Sequence, residues 1–178
     1  MISRLATFID EFRREEDAQI VIEFMVMFPL IFTLFMTSVE MGIYSFRQVF
    51  LDRGLDMAVR EIRLSTGEIH THDEIKERVC AYAGFLDNCD QTLRLEMTPI
   101  NVRGFSGLAE EADCIDLSAT PEPPRLFAPG SDHQLMVLRA CVKIDPVFPT
   151  TGLGRHFAKD GAGKVQMIAT SAFVQEPQ

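Results

Sequence analysis

Residues 20–46 read IVIEFMVMFPLIFTLFMTSVEMGIYSF, and this stretch decides the fold of the chain. It contains only two formally charged side chains, Glu23 and Glu40, and its apolar residues occupy every face of a helix. A helix that is apolar all round lies in lipid or inside a large protein, and about 20 such residues cross a bilayer. Because a chain of 178 residues leaves too little protein to bury it, the stretch predicts a transmembrane helix.

Pro29 lies inside this predicted span. Proline removes one backbone hydrogen bond, so a kink or a local loosening of the helix is expected there. The hydroxyls of Thr33, Thr37 and Ser38 are the nearest groups that can bond the freed carbonyl. A cleaved secretory signal is the competing interpretation, but the apolar run is too long and no small-x-small cleavage site follows it.

The formal net charge of −9 divides into −2 for residues 1–19, −2 for residues 20–46 and −5 for residues 47–178. The first segment has three arginines against five acidic residues, and the last has fourteen lysines and arginines against nineteen acidic residues. Since none of the three segments has a net positive charge, nucleic-acid binding is not expected. The acidic domain as a whole is also repelled from an anionic lipid surface.

All four cysteines, Cys80, Cys89, Cys114 and Cys141, follow the predicted span, and none belongs to a C-x-x-C pair. An even number confined to one domain indicates disulfides formed in an oxidising compartment, although four buried thiols in a cytosolic domain are the alternative. Of the three possible pairings we favour Cys80–Cys89, a short local loop, and Cys114–Cys141, which joins distant segments. We therefore predict a cytoplasmic leader (1–19), one transmembrane helix (20–46) and a domain (47–178) that lies in the periplasm or outside the cell.

Beyond the span, the apolar residues continue at helical spacing, so one long helix is predicted to end near residues 65–67. A second helix is expected after Thr71, which can form a capping box with Glu74. Residues 92–98 alternate between polar and apolar types, and residues 135–144 and 165–174 are rich in strand-forming side chains. Four prolines place residues 118–130 in a loop. This order predicts an α+β fold, with the long N-terminal helix packed on a small antiparallel sheet.

Residues 18–29 read AQIVIEFMVMFP, with IEF at 22–24, and Glu40 and Gly42 lie towards the far end of the span. This pattern resembles the TadE-like family of Tad (tight adherence) pilus proteins. The resemblance implies a pilin-like fold and a minor pilin or pseudopilin that acts in Tad/Flp (type IVc) pilus assembly and adhesion. It implies other pilin-like subunits and the Tad inner-membrane assembly proteins as partners, and no cofactor.

The resemblance also implies processing and a role for one carboxylate. In pseudopilins of this kind a prepilin peptidase cuts just before the apolar run and leaves Glu as the fifth mature residue. Here the cut would fall between Ala18 and Gln19. Glu23 would then neutralise the new α-amino group on Gln19 of a neighbouring subunit and so set the register between subunits.

Two other classes of function compete with a pilus subunit. One is a membrane-tethered extracytoplasmic binding or sensory domain unrelated to pili, and the other is a thiol-active periplasmic enzyme. The absence of C-x-x-C argues against the enzyme. The sequence GAGK at 161–164 is not a phosphate loop, because Ala158 replaces the required glycine and Val165 the serine or threonine. His70 and His72 have no further ligands at a matching spacing, so no metal site is expected. We predict that the protein is not an enzyme.

Overall fold

The computed structural model of the protein describes residues 16–65, 69–101, 103–104, 109–115 and 126–176. The chain forms two compact units, Met1–Val39 and Glu40–Gln178. The helices are α1 (Glu16–Leu64), α2 (His72–Ala83) and α3 (Cys89–Thr92), and a 3-10 turn covers Gly152–Arg155. The strands are β1 (Arg94–Pro99), β2 (Leu135–Ile144) and β3 (Val165–Val174). The predicted α+β fold is confirmed: a long N-terminal helix accompanies a small antiparallel sheet.

Helix α1 is continuous through Pro29. The hydroxyl of Thr33 donates to the carbonyl of Pro29 at 2.7 Å, and the hydroxyls of Thr37 and Ser38 donate to the carbonyl of Leu34 at 2.8 Å. Because proline has no N–H, the carbonyl four residues before it loses its helical hydrogen-bond donor. None of these hydroxyls bonds that carbonyl. The prediction that they bond the freed carbonyl was therefore wrong. The spacing explains the error, because a serine or threonine in a helix bonds the carbonyl three or four residues earlier.

The core of the second unit forms where one face of α1 meets α2 and the sheet. The apolar positions predicted for this face of α1 are all buried: Leu51, Leu55, Ala58, Val59 and Ile62. A Cβ atom on Gly54 would lie 2.8 Å from the carbonyl oxygen of Val79 and 3.0 Å from the Cβ of Ala83. Gly54 thus permits a closer approach of α2 to α1 than any other residue would allow.

Helix α2 begins with the capping box predicted from the sequence. The backbone N–H of Thr71 donates to the Glu74 carboxylate at 2.9 Å, and the N–H of Glu74 donates to the Thr71 hydroxyl at 3.4 Å. The bond from the Thr71 backbone lowers the pKa of Glu74, because it favours the ionised carboxylate. This reciprocal pair satisfies two backbone donors of the first turn and fixes the start of the helix.

The sheet is an antiparallel meander in the order β1-β2-β3. Strands β2 and β3 have the bounds predicted from the sequence, and ten residues of each are paired, from Leu135↔Val174 to Ile144↔Val165. The face of the sheet that carries Leu95, Met136 and Met167 joins the core cluster.

The opposite face of β1 and β2 is polar and is also buried. Arg139 on β2 donates to the carboxylate of Glu96 on β1 at 2.5 Å and to the carbonyls of Ala109 and Glu111 at 2.9 Å. The side chains of Arg139 and Glu96 are 7% and 3% exposed. The alternation of polar and apolar residues in β1 therefore does not mark a solvated face, because residues 109–115 cover it.

Both disulfides favoured from the sequence are present. Cys80–Cys89 joins α2 to α3 with its Cα atoms 5.7 Å apart, and Cys114–Cys141 joins the 109–115 segment to β2 with its Cα atoms 5.3 Å apart. The second bond closes the longer loop, with a sequence separation of 27 against 9. It joins the covering segment to the polar face two residues after Arg139 on β2.

Candidate functional site

The part of α1 within the first unit exposes its apolar side chains. One 18-residue window, in the stretch Ile20–Leu64, has a mean hydropathy of 2.2 and is 0% buried. Phe24, Phe28 and Phe32 stack along one side of the helix, with ring centroids 5.1 and 5.6 Å apart. Among the described residues, α1 is the one helix long and apolar enough to cross a membrane, which is consistent with a single-pass anchor near the N-terminus.

Glu23 is exposed within this apolar segment, and its neighbours Ile22 and Phe24 are 53% and 59% exposed. No hydrogen bond or ion pair links its carboxylate to another residue in the described part of the chain. Ala18 and Gln19, the predicted processing site, lie in the first turn of α1. A charge in an apolar surface is costly unless it is paired or lies at the headgroup level.

A second arrangement of interest lies where the compact second unit begins. Residues 145–159 form most of the connection between β2 and β3, and we call them the 145–159 loop. The carboxylate of Glu40, only 3% exposed, accepts the backbone N–H of Val147 at 3.0 Å and that of Phe148 at 2.8 Å, one on each oxygen. Glu40 therefore does not lie free in the apolar run, but fixes the conformation of this loop.

Two further residues of α1 hold the same loop. The ring of Tyr44 stacks on that of Phe157 with centroids 5.1 Å apart, and Arg47 donates to the carbonyl of Asp145 at 2.9 Å. Together with Glu40, these residues recur every three or four positions and share one face of the helix.

Gly154, a residue of the loop, packs closely against Phe148 and the Glu40 carboxylate. A Cβ there would lie 2.4 Å from the carbonyl oxygen of Phe148 and 3.3 Å from Oε1 of Glu40. The distance of 2.4 Å is shorter than any carbon–oxygen contact that packing tolerates, so only glycine fits beside the carboxylate. Sequence reasoning placed Glu40 in the span and missed this contact. The partners are 107 and 108 positions away, and no local pattern links them.

Replacing Glu40 by glutamine should destabilise the second unit by about 1–3 kcal/mol. The amide keeps one acceptor oxygen but turns its NH₂ group towards the second backbone N–H, which leaves that donor without a partner. The measurement is urea unfolding of the detergent-solubilised chain, followed by circular dichroism. Glu77→Gln is the matched control, because Glu77 is exposed on α2 and should change stability by less than about 0.5 kcal/mol. Equal stabilities of the two variants would contradict the role assigned to Glu40.

The charges at the two ends of the 145–159 loop are paired. Lys164 binds Asp145 at 2.7 Å, and Lys143 binds Asp160 at 3.2 Å. Burial raises the pKa of Asp160, but the N–H of Lys164 and the ammonium of Lys143 outweigh it, so the pKa is lowered overall and the carboxylate stays ionised. These acids are therefore neutralised by neighbours within the domain.

The histidines considered as metal ligands have protein partners. Nε2 of His70 lies 2.5 Å from the Ser65 hydroxyl, and Nε2 of His72 accepts the backbone N–H of Leu95 at 3.3 Å. In the described residues no group of three histidine, cysteine, aspartate or glutamate side chains is placed to hold a metal ion.

Comparison with protein-family models, curated proteins and solved structures returns no match for this chain.

Proposed function

We propose that the protein is a minor pilin or pseudopilin-like subunit of a Tad/Flp (type IVc) pilus system, anchored in the inner membrane and acting in pilus assembly and adhesion. The observation that carries the proposal is an exposed apolar helical segment, followed by a folded domain, whose carboxylate Glu23 has no hydrogen bond or ion pair to another residue that the structure describes. A plain anchor needs only the apolar surface. The unpaired charge favours a helix that also binds another subunit.

The length of the apolar helical segment supports the anchor. Residues 20–39 form twenty residues of helix, which rise by about 30 Å and match the hydrocarbon core of a bilayer. The second unit begins at Glu40, so the exposed apolar run and the compact domain meet at that residue.

The two disulfides support an extracytoplasmic domain. Cysteines of cytosolic proteins are normally kept reduced, whereas the periplasm is oxidising. The chain crosses the membrane once in this proposal, so a periplasmic domain requires a cytoplasmic N-terminus.

Glu23 is proposed to pair with the α-amino group of a neighbouring subunit, which forms when the leader is cut before Gln19. Each charge alone in hydrocarbon is unfavourable, while the pair is much less so. Because the pair forms at only one axial offset of two helices, it would select the register of the assembly.

Glu23→Gln should reduce pilus-dependent adhesion strongly while leaving the amount of protein in the membrane unchanged. Glutamine keeps the shape of the side chain, removes the charge and makes insertion no harder. Adhesion assays and membrane immunoblots of the host strain measure the two effects. Thr33→Val, which removes a hydroxyl bonded within the helix, is the control within the same segment. Normal piliation with Glu23→Gln would instead favour a tethered binding or sensory domain.

Processing between Ala18 and Gln19 is the second expected result. Co-expression with the cognate prepilin peptidase should shorten the chain by the 18 residues that precede Gln19, and Ala18→Trp should block the change. Asp17 places a negative charge beside the site of an aspartyl peptidase, which should slow the cut, so Asp17→Asn should accelerate it. N-terminal sequencing of the protein from its host decides the matter. A mature chain that begins at Met1 would remove the amine partner of Glu23.

A further inference from the structure

We propose that the 145–159 loop binds a surface of anionic phospholipid, so that this part of the domain rests on the membrane beside the anchor. The proposal rests on the membrane anchor of the proposed function. It adds a second lipid contact, made by the folded domain through a loop far from the anchor in sequence.

The position of the loop follows from Glu40. Glu40 is the residue directly after the exposed apolar run, and its carboxylate holds the backbone of Val147 and Phe148. A loop bonded to this residue lies at the point where the chain leaves the proposed span. The contacts of Tyr44 and Arg47 with the loop keep it there.

The loop presents apolar surface at this point. Val147 is 41% exposed although its backbone is fixed, and the neighbouring helical residue Met41 is 53% exposed. Pro149 is exposed as well. Apolar side chains on an ordered loop are favourable at the boundary between headgroups and acyl chains and unfavourable in water.

The charge of the loop identifies the kind of lipid. Residues 146–159 contain Arg155 and Lys159 and no acidic residue, whereas residues 47–178 carry −5 in total. Arg155 is exposed, and the ammonium of Lys159, which is half-buried, donates to the carbonyl of Pro149 within the loop. The acids at the ends of the loop, Asp145 and Asp160, are paired with lysines of the domain. The loop is therefore a cationic and apolar surface on an acidic domain, and anionic headgroups complement it.

An acidic protein surface would also complement the positive charge of the loop. Lipid is favoured because the loop is bonded to the residue that follows the proposed span, so that the membrane is its nearest neighbour. A protein partner is an outcome of the experiment below.

The chain contains no tryptophan, so one introduced residue gives an unambiguous fluorescent probe. Three variants of the full chain, each with one tryptophan, are reconstituted in phosphatidylcholine nanodiscs whose acyl chains are brominated near the headgroup. Val147→Trp reports on the loop and Phe28→Trp on the proposed span. Leu64→Trp reports on the far end of α1, 73% exposed and about 36 Å along the helix from Glu40.

The expected result is that Trp emission at position 147 is blue-shifted and quenched by the brominated lipid, whereas emission at position 64 is neither. Replacing part of the lipid by brominated phosphatidylglycerol should increase quenching at position 147. Adding Arg155→Gln should remove at least about half of that increase, because it removes the more exposed of the two cations in the loop.

The outcomes separate this inference from the anchor. Quenching at position 28 but not at position 147 would overturn the inference and leave the anchor intact, and the loop would then be free to bind a protein. No quenching at position 28 would overturn the anchor and, with it, the inference. Quenching at position 147 that does not increase with phosphatidylglycerol would overturn the assignment to anionic lipid.

Discussion

Replacing Arg139 by methionine is expected to lower the free energy of unfolding of the second unit by about 3–5 kcal/mol. The substitution leaves the carboxylate of Glu96, whose side chain is 3% exposed, without its cation. It also leaves the carbonyls of Ala109 and Glu111 without the guanidinium donors that bond them at 2.9 Å. An uncompensated buried charge is among the largest single destabilising effects that a substitution produces.

Methionine is the appropriate replacement because it fills a similar volume without adding charge. Urea unfolding of the detergent-solubilised protein, followed by circular dichroism, measures the loss. Arg53→Met is the control, since Arg53 is exposed on α1 and should change stability by less than about 0.5 kcal/mol.

The double variant with Glu96→Met separates the ion pair from the rest of the contact. Removing both charges should restore most of the lost stability, because well-packed apolar side chains replace a buried ion pair at little cost. A double variant no more stable than the single one would show that the carbonyl contacts, and not the unpaired carboxylate, dominate the effect.

Removing the Cys114–Cys141 bond, by alanine at both positions, should cost about 2–5 kcal/mol. Loop closure in the unfolded chain is the main reason, and the sequence separation of 27 makes this loop the longer of the two. The same change at Cys80 and Cys89, with a separation of 9, should cost about 1 kcal/mol less in the chain-entropy model.

Mass spectrometry tests the bonds before the variants are compared. The domain after residue 66, expressed in the periplasm and not reduced, should be lighter by four hydrogens than the same domain fully reduced, as two disulfides require. Alkylation without reduction should add no label. Four alkylated thiols in that material would contradict both bonds and the proposed compartment.

The sequence carried enough information for the elements that depend on near neighbours. The end of α1 at Leu64, the capping box of α2 and the bounds of β2 and β3 all follow from spacing within a few residues. The disulfide pairs followed from loop length and from the number of cysteines. Local spacing also misled once, when it assigned the hydroxyls after Pro29 to the wrong carbonyl.

Contacts between distant segments were beyond this kind of reasoning. Arg139 binds Glu96, 43 positions away, and Glu40 binds backbone atoms 107 and 108 positions away. In the sequence, a charged residue that is buried and paired cannot be distinguished from one that is exposed to solvent, because its partner is not identified. The buried polar face and the fixed 145–159 loop were therefore found only in the structure.

The hydrogen bonds from Arg139 to the carbonyls of Ala109 and Glu111 also affect which cysteines can pair. Arg139 lies two positions before Cys141, and the carbonyl that it holds at Glu111 lies three positions before Cys114. These hydrogen bonds hold the segments that carry the two cysteines side by side, so the placement of Cys114 beside Cys141 does not depend on the disulfide alone. We therefore expect a chain without Arg139 to lose this restraint and to form more non-native disulfides when it is oxidised.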